Sequence, residues 1–368
     1  MLGLALVTWL LLSGCGSPPA PGYVREKELA QAARVRGRHL AAAEHYERAA
    51  AAATKPRDAE EARYRAADSY ARAGDAARAE ALYRRLAALG PSSQRRARAE
   101  FALADLWEAN GRVDEAEAQR ATAIRRYPSS GVASSALSQH LSYLRKRGGS
   151  ERVLAYLAAE SAAIGTSELG ETLAYRRARE LQDQGRLAEA RDAYLACAAR
   201  YQYPAGAYWD DALFRAAEAE LALGAPERAL RHLARMLERQ ESASITGSYE
   251  RGRYAEAQLK VAEIYRDSLH DDKRARIELR KLWERHPKSR LVDDALFQEA
   301  LLAHRAGDRA GACDPLRIIV SQLSESRYVP CAHQLCDSLP KTPGRDCRGY
   351  IERAAGLTKL GASEAGED

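Results

Sequence analysis

Residues 61–91 read EARYRAADSYARAGDAARAEALYRRLAALGP. Small residues Ala66 and Ala67 precede Tyr70, a turn follows at Gly74, and then come Ala79, Tyr83, Leu86 and a closing Pro91. Two helices pack tightly antiparallel only where a glycine accepts positive φ in the turn and a small residue stands where the second helix crosses the first. Gly74 and Ala79 occupy those two places. The stretch therefore predicts one helix hairpin.

The same phrase recurs. Gly37, Gly74, Gly111, Gly148 and Gly185 are each 37 residues apart, and five residues after each lies Ala42, Ala79, Ala116, Val153 or Ala190. Gly224 with Ala229 and Gly307 with Ala312 continue the series; between them Ala275 follows Leu269-His270-Asp271-Asp272, where a glycine turn would stand. Eight repeats are expected. A fixed period of this length signals stacked supersecondary units, and its Gly and Pro punctuation excludes a coiled coil.

Composition agrees. In 368 residues there are 3 Phe and 4 Trp, Ala, Arg, Leu and Glu dominate, and Val and Ile are scarce, which suits helices and starves strands. The chain is long for one ordinary domain, but an array can bury its surface repeat by repeat. The 57 basic and 51 acidic residues leave a net charge of +6 and alternate along the chain, which describes a salt-bridged helix surface; a basic groove is the competing reading. Nucleic acid is not expected as a partner.

The pattern of small, small and aromatic residues on the first helix, then Ala-x3-aromatic-x2-apolar and Pro, resembles the tetratricopeptide repeat position by position. Repeat three carries Leu103, Ala104, Trp107, Gly111, Ala116, Ala123 and Pro128, departing at Arg120, where an aromatic is usual. Repeat seven has Ala275, Leu279, Leu282 and Pro287 with a turn one residue longer, and repeat four is degenerate. The resemblance implies an all-α, right-handed superhelical solenoid of about eight hairpins over residues 23–325. Extra residues after the closing proline, and His286-Pro287-Lys288-Ser289 followed by Asp293-Asp294-Ala295-Leu296-Phe297, are similar to the envelope subgroup that includes the β-barrel assembly lipoprotein and the Tol–Pal coordinating protein.

Leu2 to Leu12 is an apolar run too short for the ~20 residues of a spanning helix. It leads into Leu12-Ser13-Gly14-Cys15, which resembles a bacterial lipobox. This implies a leader over residues 1–14, lipidation at Cys15 and, with Gly16 rather than Asp next, transfer to the outer membrane on its periplasmic face. An ordinary secretory leader with an incidental Cys is the alternative. The lack of Lys or Arg before the run suggests a start further upstream. Residues 15–22 then form a Pro-rich tether of about 20 Å, at ~3.1 Å per residue.

Chemistry is sparse. The chain holds no zinc-protease helix motif, no phosphate-binding glycine loop and no nucleophile elbow. His270-Asp271-Asp272 falls in a turn where polar residues are expected, and Asp210-Asp211 and Asp293-Asp294 read as helix starts, where carboxylates meet the positive dipole end. No enzyme, cofactor or metal is expected.

First helices of the resembled family line the inner wall, so their outward positions are candidates for partner binding. Ten residues before each turn stand Lys27, Tyr64, Phe101, Ser138, Tyr175, Phe214 and Phe297, with Leu259 in repeat seven. These aromatics either anchor a peptide or helix in the groove or pack against the neighbouring repeat. Asp68, Asp105, Arg179, Glu218 and His304 lie nearby and favour a mixed-polarity ligand. The function expected is an outer-membrane scaffold holding other envelope proteins; the alternative is an accessory enzyme or binding lipoprotein acting on peptidoglycan. Oligomeric state is left open.

Cys313, Cys331, Cys336 and Cys347 fall within 35 residues of an exported chain, so residues 326–356 are expected to form a disulfide-stapled helical cap before a disordered tail, 357–368. Four cysteines allow three connectivities; the favoured pairing is Cys313 with Cys331 and Cys336 with Cys347 across the Pro340 to Pro343 turn. A metal site from Cys331, His333 and Cys336 competes. Cys197, in a small packing position, is expected to stay buried and unbridged.

Overall fold

The computed structural model describes residues 18–90, 94–239 and 253–357. The leader, Cys15, Pro91 with its following serines, and residues 358–368 of the tail lie outside the described residues. Among the described residues the protein is all helix, and none of its helices is long and apolar enough to cross a membrane. The chain divides into two compact units, Met1–Leu173 and Ala174–Asp368, with the boundary inside the helix Gly170–Asp183.

In the first unit α1 (Pro21–Val35) pairs with α2 (His39–Ala52), α3 (Pro56–Arg72) with α4 (Ala76–Ala87), and α5 (Gln94–Ala109) with α6 (Val113–Arg126). The fourth hairpin is the span α7 (Ala133–Ile164), broken at Gly148 and Gly149. Pro21 and Gly22, expected in the tether, already belong to α1: proline's fixed φ suits the first helical position, where its missing N–H costs nothing.

The second unit holds most of α8 (Gly170–Asp183), then α9 (Leu187–Arg200), α10 (Trp209–Ala222), α11 (Pro226–Leu237), α12 (Arg253–Glu263), α13 (Asp272–Arg285), α14 (Val292–Arg305) and α15 (Arg309–Gln322). A 3-10 turn (Val329–Cys331), α16 (Ala332–Leu335) and α17 (Gly349–Ala355) close the chain. Asp210-Asp211 and Asp293-Asp294 do lie in the first turns of α10 and α14.

The spacing rule has a direct physical basis in the backbone. Gly74 and Gly111 take φ of 82° and 79°, and the amide of the next residue reaches back to the helix, Asp75 to the Tyr70 carbonyl and Arg112 to that of Trp107, both at 2.9 Å. This closure satisfies carbonyls the ending helix would leave unpaired. Five residues on, Ala42, Ala79, Ala116, Val153, Ala190, Ala229, Ala275 and Ala312 are all 0% exposed, so each marks a helix crossing.

Two turns differ from expectation. In repeat four the positive φ falls on Gly149, at 67°, and not on Gly148; with two adjacent glycines, periodicity could not choose the conformer. In repeat seven His270 takes the glycine's place with φ 52°, and the extra residue is absorbed as a π turn, Ile264–Ser268, that ends the first helix. The Asp271 amide accordingly bonds the Tyr265 carbonyl, one residue further back than its counterparts, at 2.7 Å. Asp271 also caps α13 by accepting from the Arg274 amide, as Asp75 and Asp308 cap α4 and α15.

Candidate partner-binding site

The aromatics counted back from the turns are packing residues. Phe101, Tyr175, Phe214 and Phe297 are only 4–7% exposed, and Tyr64 is half-buried. Each ring meets a group from the start of the following repeat: Arg95 lies 5.7 Å from the Tyr64 centroid, Tyr208 stacks on Tyr175 at 4.4 Å, Arg253 lies 5.1 Å from Phe214, and Tyr328 stacks on Phe297 at 4.1 Å. Phe101 is part of the core with Ile124, Leu137 and Leu141. Burying a phenyl ring between hairpins gains more than leaving it in water, which is why these positions do not serve as exposed anchors. Sequence reasoning missed the covering group because it varies between Arg and Tyr and lies 31 to 39 residues on.

The polar candidates on the first helices stay partly or fully exposed. Asp68 pairs with Arg72, Glu218 with Arg215 and Arg179 with the Tyr175 hydroxyl, while His304 is exposed. Asp105 has a side chain 61% exposed and accepts from Arg120. In the first unit these residues, Asp68 and Asp105, are both acidic; in the second, Arg179, Glu218 and His304 are of mixed sign, which suits a partner of mixed polarity there.

Arg120 explains the departure in repeat three. It stands at the aromatic's position on α6, is 1% exposed, and donates to Asp105 at 2.9 Å, to Glu108 at 2.6 Å and to Glu117. Glu117 in turn accepts from Nδ1 of His140 at 2.7 Å, and Tyr156 packs edge-on against that imidazole at 4.6 Å. Burial holds the His140 pKa below its ordinary value, against the pull of Glu117. A guanidinium can fill an aromatic slot only where such carboxylates surround it.

Elsewhere, buried carboxylates stitch helices together. Glu100 accepts from Arg126 and Tyr127, Glu160 from Arg125, Glu220 from Arg228 at 2.9 Å, and Glu299 from Arg280 at 2.7 Å. Burial raises the Glu299 pKa in spite of Arg280. A raised carboxyl is a feature of general acids, but this one is held by a guanidinium. Among the described residues no group of His, Cys, Asp or Glu is arranged to hold a metal ion.

At the C-terminus the bridges are Cys313–Cys336 and Cys331–Cys347, with Cα atoms 5.1 and 4.7 Å apart. The favoured pairing is thereby corrected. It joined neighbours in sequence, whereas α16 uses its two ends on different partners: Cys331 at its start meets the residue leading into α17, and Cys336 at its end meets α15. The competing metal site is excluded by the same bonds. Cys197 is buried in α9, outside both bridges.

Repeated hairpins joined by inter-repeat stacking and ion pairs define an all-α repeat protein. The tetratricopeptide repeat family model matches two stretches of the chain, residues 61–93 and 256–289. Similar solved structures include the C-terminal part of a TPR repeat-containing protein from Cytophaga hutchinsonii, at 13% identity and TM-score 0.44, covering 73% of this chain and 98% of that one. A tetratricopeptide repeat protein from Parabacteroides merdae is similar at 13% identity and TM-score 0.33, covering 75% and 98%. No curated protein sequence matches the chain.

Proposed function

We propose that this chain is a lipid-anchored scaffold on the periplasmic face of the outer membrane, holding envelope proteins in a groove through exposed polar residues of its first helices. The observation that carries the scaffold reading is the helix hairpin, repeated eight times among the described residues and matched in two stretches by the tetratricopeptide repeat model, since stacked hairpins offer extended binding surfaces. Two features support the location. Leu12-Ser13-Gly14-Cys15 resembles a lipobox, and two disulfides fit an oxidising compartment. An assembly, secretion, motility or cell-wall-coordination machine would use such a part. Cys15→Ser should move the protein from the outer-membrane to the soluble or precursor fraction, and affinity purification from detergent-solubilised membranes should recover a protein partner. Unchanged fractionation of the variant would overturn the anchor; purification of the chain alone would overturn the scaffold.

A further inference from the structure

In the second unit, α14, α17 and the segment before the 3-10 turn enclose a cleft of about 380 Å³. That lies within the range of ligand sites, about 300–1,000 Å³. The floor is apolar, formed by Phe297, Leu301 and Leu302 on α14 and Ile351 on α17. Three guanidinium groups line it, and no carboxylate is among the lining residues. Arg266 arrives on the π turn of repeat seven, donates to Gln298 of α14 and is paired through two N–H groups with Asp267, at 2.6 and 2.7 Å. Arg327 is fixed by Asp294 and by the Tyr328 hydroxyl, which it meets at 3.0 Å, while the Tyr328 ring stacks on Phe297. Arg305 is exposed and has no ion-pair partner among the described residues.

We infer that this cleft binds an acidic peptide segment, which seats a bulky apolar side chain on the Phe297–Leu302 floor and sets a carboxylate against Arg305, the one lining guanidinium without an aspartate partner among the described residues, with the aspartate-paired Arg327 and Arg266 beside it. The inference rests on the scaffold reading and names the partner's chemistry at one place. Arginine binds carboxylates with paired N–H groups, and Arg and Tyr, here joined by half-exposed Tyr350 at the rim, carry much of the energy of peptide contacts. Charge complementarity selects the acidic sequence; the apolar floor selects the side chain between the carboxylates.

The wall of the cleft is covalently set. With seven residues, α17 is too short to persist as an isolated helix. It is held by the Cys331–Cys347 bridge, by Ile351 and Ala355 in the core, and by Gln334 of α16 donating to Glu352 at 2.6 Å. Reduction should therefore release the wall and with it the ligand.

The test is fluorescence anisotropy on the whole oxidised protein with a labelled octapeptide, leucine and phenylalanine flanked on each side by three acidic residues. Controls are the same peptide with amides for carboxylates, and with serines for the apolar pair. Saturable binding is expected, weakened at least about tenfold by Arg305→Glu and by either control, and lost on reduction. The Arg305→Glu melting temperature should match the parent, because the side chain is exposed and makes no ion pair among the described residues. No saturable binding up to the order of 1 mM, or equal binding by Arg305→Glu or by the amide peptide, would overturn the inference. So would Arg305-dependent sedimentation with phosphatidylglycerol vesicles without peptide binding, which would assign the cleft to a lipid headgroup. If the octapeptide fails while the tagged chain still purifies with a protein partner, the cleft inference falls and the scaffold reading stands.

Discussion

The ring of Phe297 lies flat against Tyr328, centroids 4.1 Å apart and planes within 13°. One residue belongs to the first helix of repeat eight and the other to the segment entering the cap, so the contact joins consecutive units. Tyr175 with Tyr208 repeats it, and Tyr64 with Arg95 and Phe214 with Arg253 substitute a guanidinium for the second ring. This ring position is a seam between repeats. Stability in a repeat array is largely the sum of such interfaces.

Phe214→Ala should therefore destabilise the protein, by about 3–5 kcal/mol as for other buried phenyl deletions, and lower the chemical-denaturation midpoint. Glu218→Ala, one turn away, should stay within about 0.5 kcal/mol. Equal, small effects from both would mean that the ring is a surface anchor after all.

Removing the guanidinium from repeat three leaves Glu117 buried against His140 without its cation. Arg120→Ala should cost about 3–5 kcal/mol, the usual result of breaking a buried pair. Arg120→Met combined with Glu117→Gln should recover much of this loss, because the double variant leaves no uncompensated charge. Urea unfolding of the two variants beside the parent checks both halves.

Burial depresses the pKa of His140, and also that of His232, below the ordinary 6.5. The unfolded chain then takes up protons near pH 6.5 while the folded chain holds both rings neutral, so the unfolded state binds more protons and stability falls as pH drops below that value. The loss is complete once pH is below the folded pKa. His140→Gln should flatten the decline in melting temperature between pH 7 and about 5; an unchanged slope would remove His140 from the account.

His270 adopts φ 52° where the other turns use glycine. His270→Gly should raise stability by up to about 1 kcal/mol, because a side chain in the left-handed region is strained by about 1–2 kcal/mol and glycine's greater unfolded-state freedom offsets part of the gain. Gly111→Ala should lower it by about 1–2 kcal/mol through backbone strain alone, since an added Cβ would meet nothing within 4 Å. Differential scanning calorimetry of the two variants resolves the opposite signs.

The hairpins were legible in the sequence because their signal is local: a positive-φ glycine and a small residue five positions on both act within one turn. Relations across repeats were not. The spacing located Phe101, Phe214 and Phe297 at one position but could not say that the next repeat covers it, since the covering residue changes type. Arg120 read only as a missing aromatic, because its carboxylate partners Asp105 and Glu108 come from the neighbouring helix. The disulfide pairing depends on the path of the chain between α16 and α17, where no periodicity applies.

The proposed scaffold would hold a protein through exposed residues of its first helices. Photo-crosslinking in living cells tests it most directly, with the reactive side chain placed at Asp68 or His304 on first helices and at Glu115 or Asp192 on exposed faces of second helices. Discrete adducts to a protein partner from the first pair and none from the second are predicted. Absence of any adduct, or equal adducts from both sets, would show that the first helices do not carry the partner.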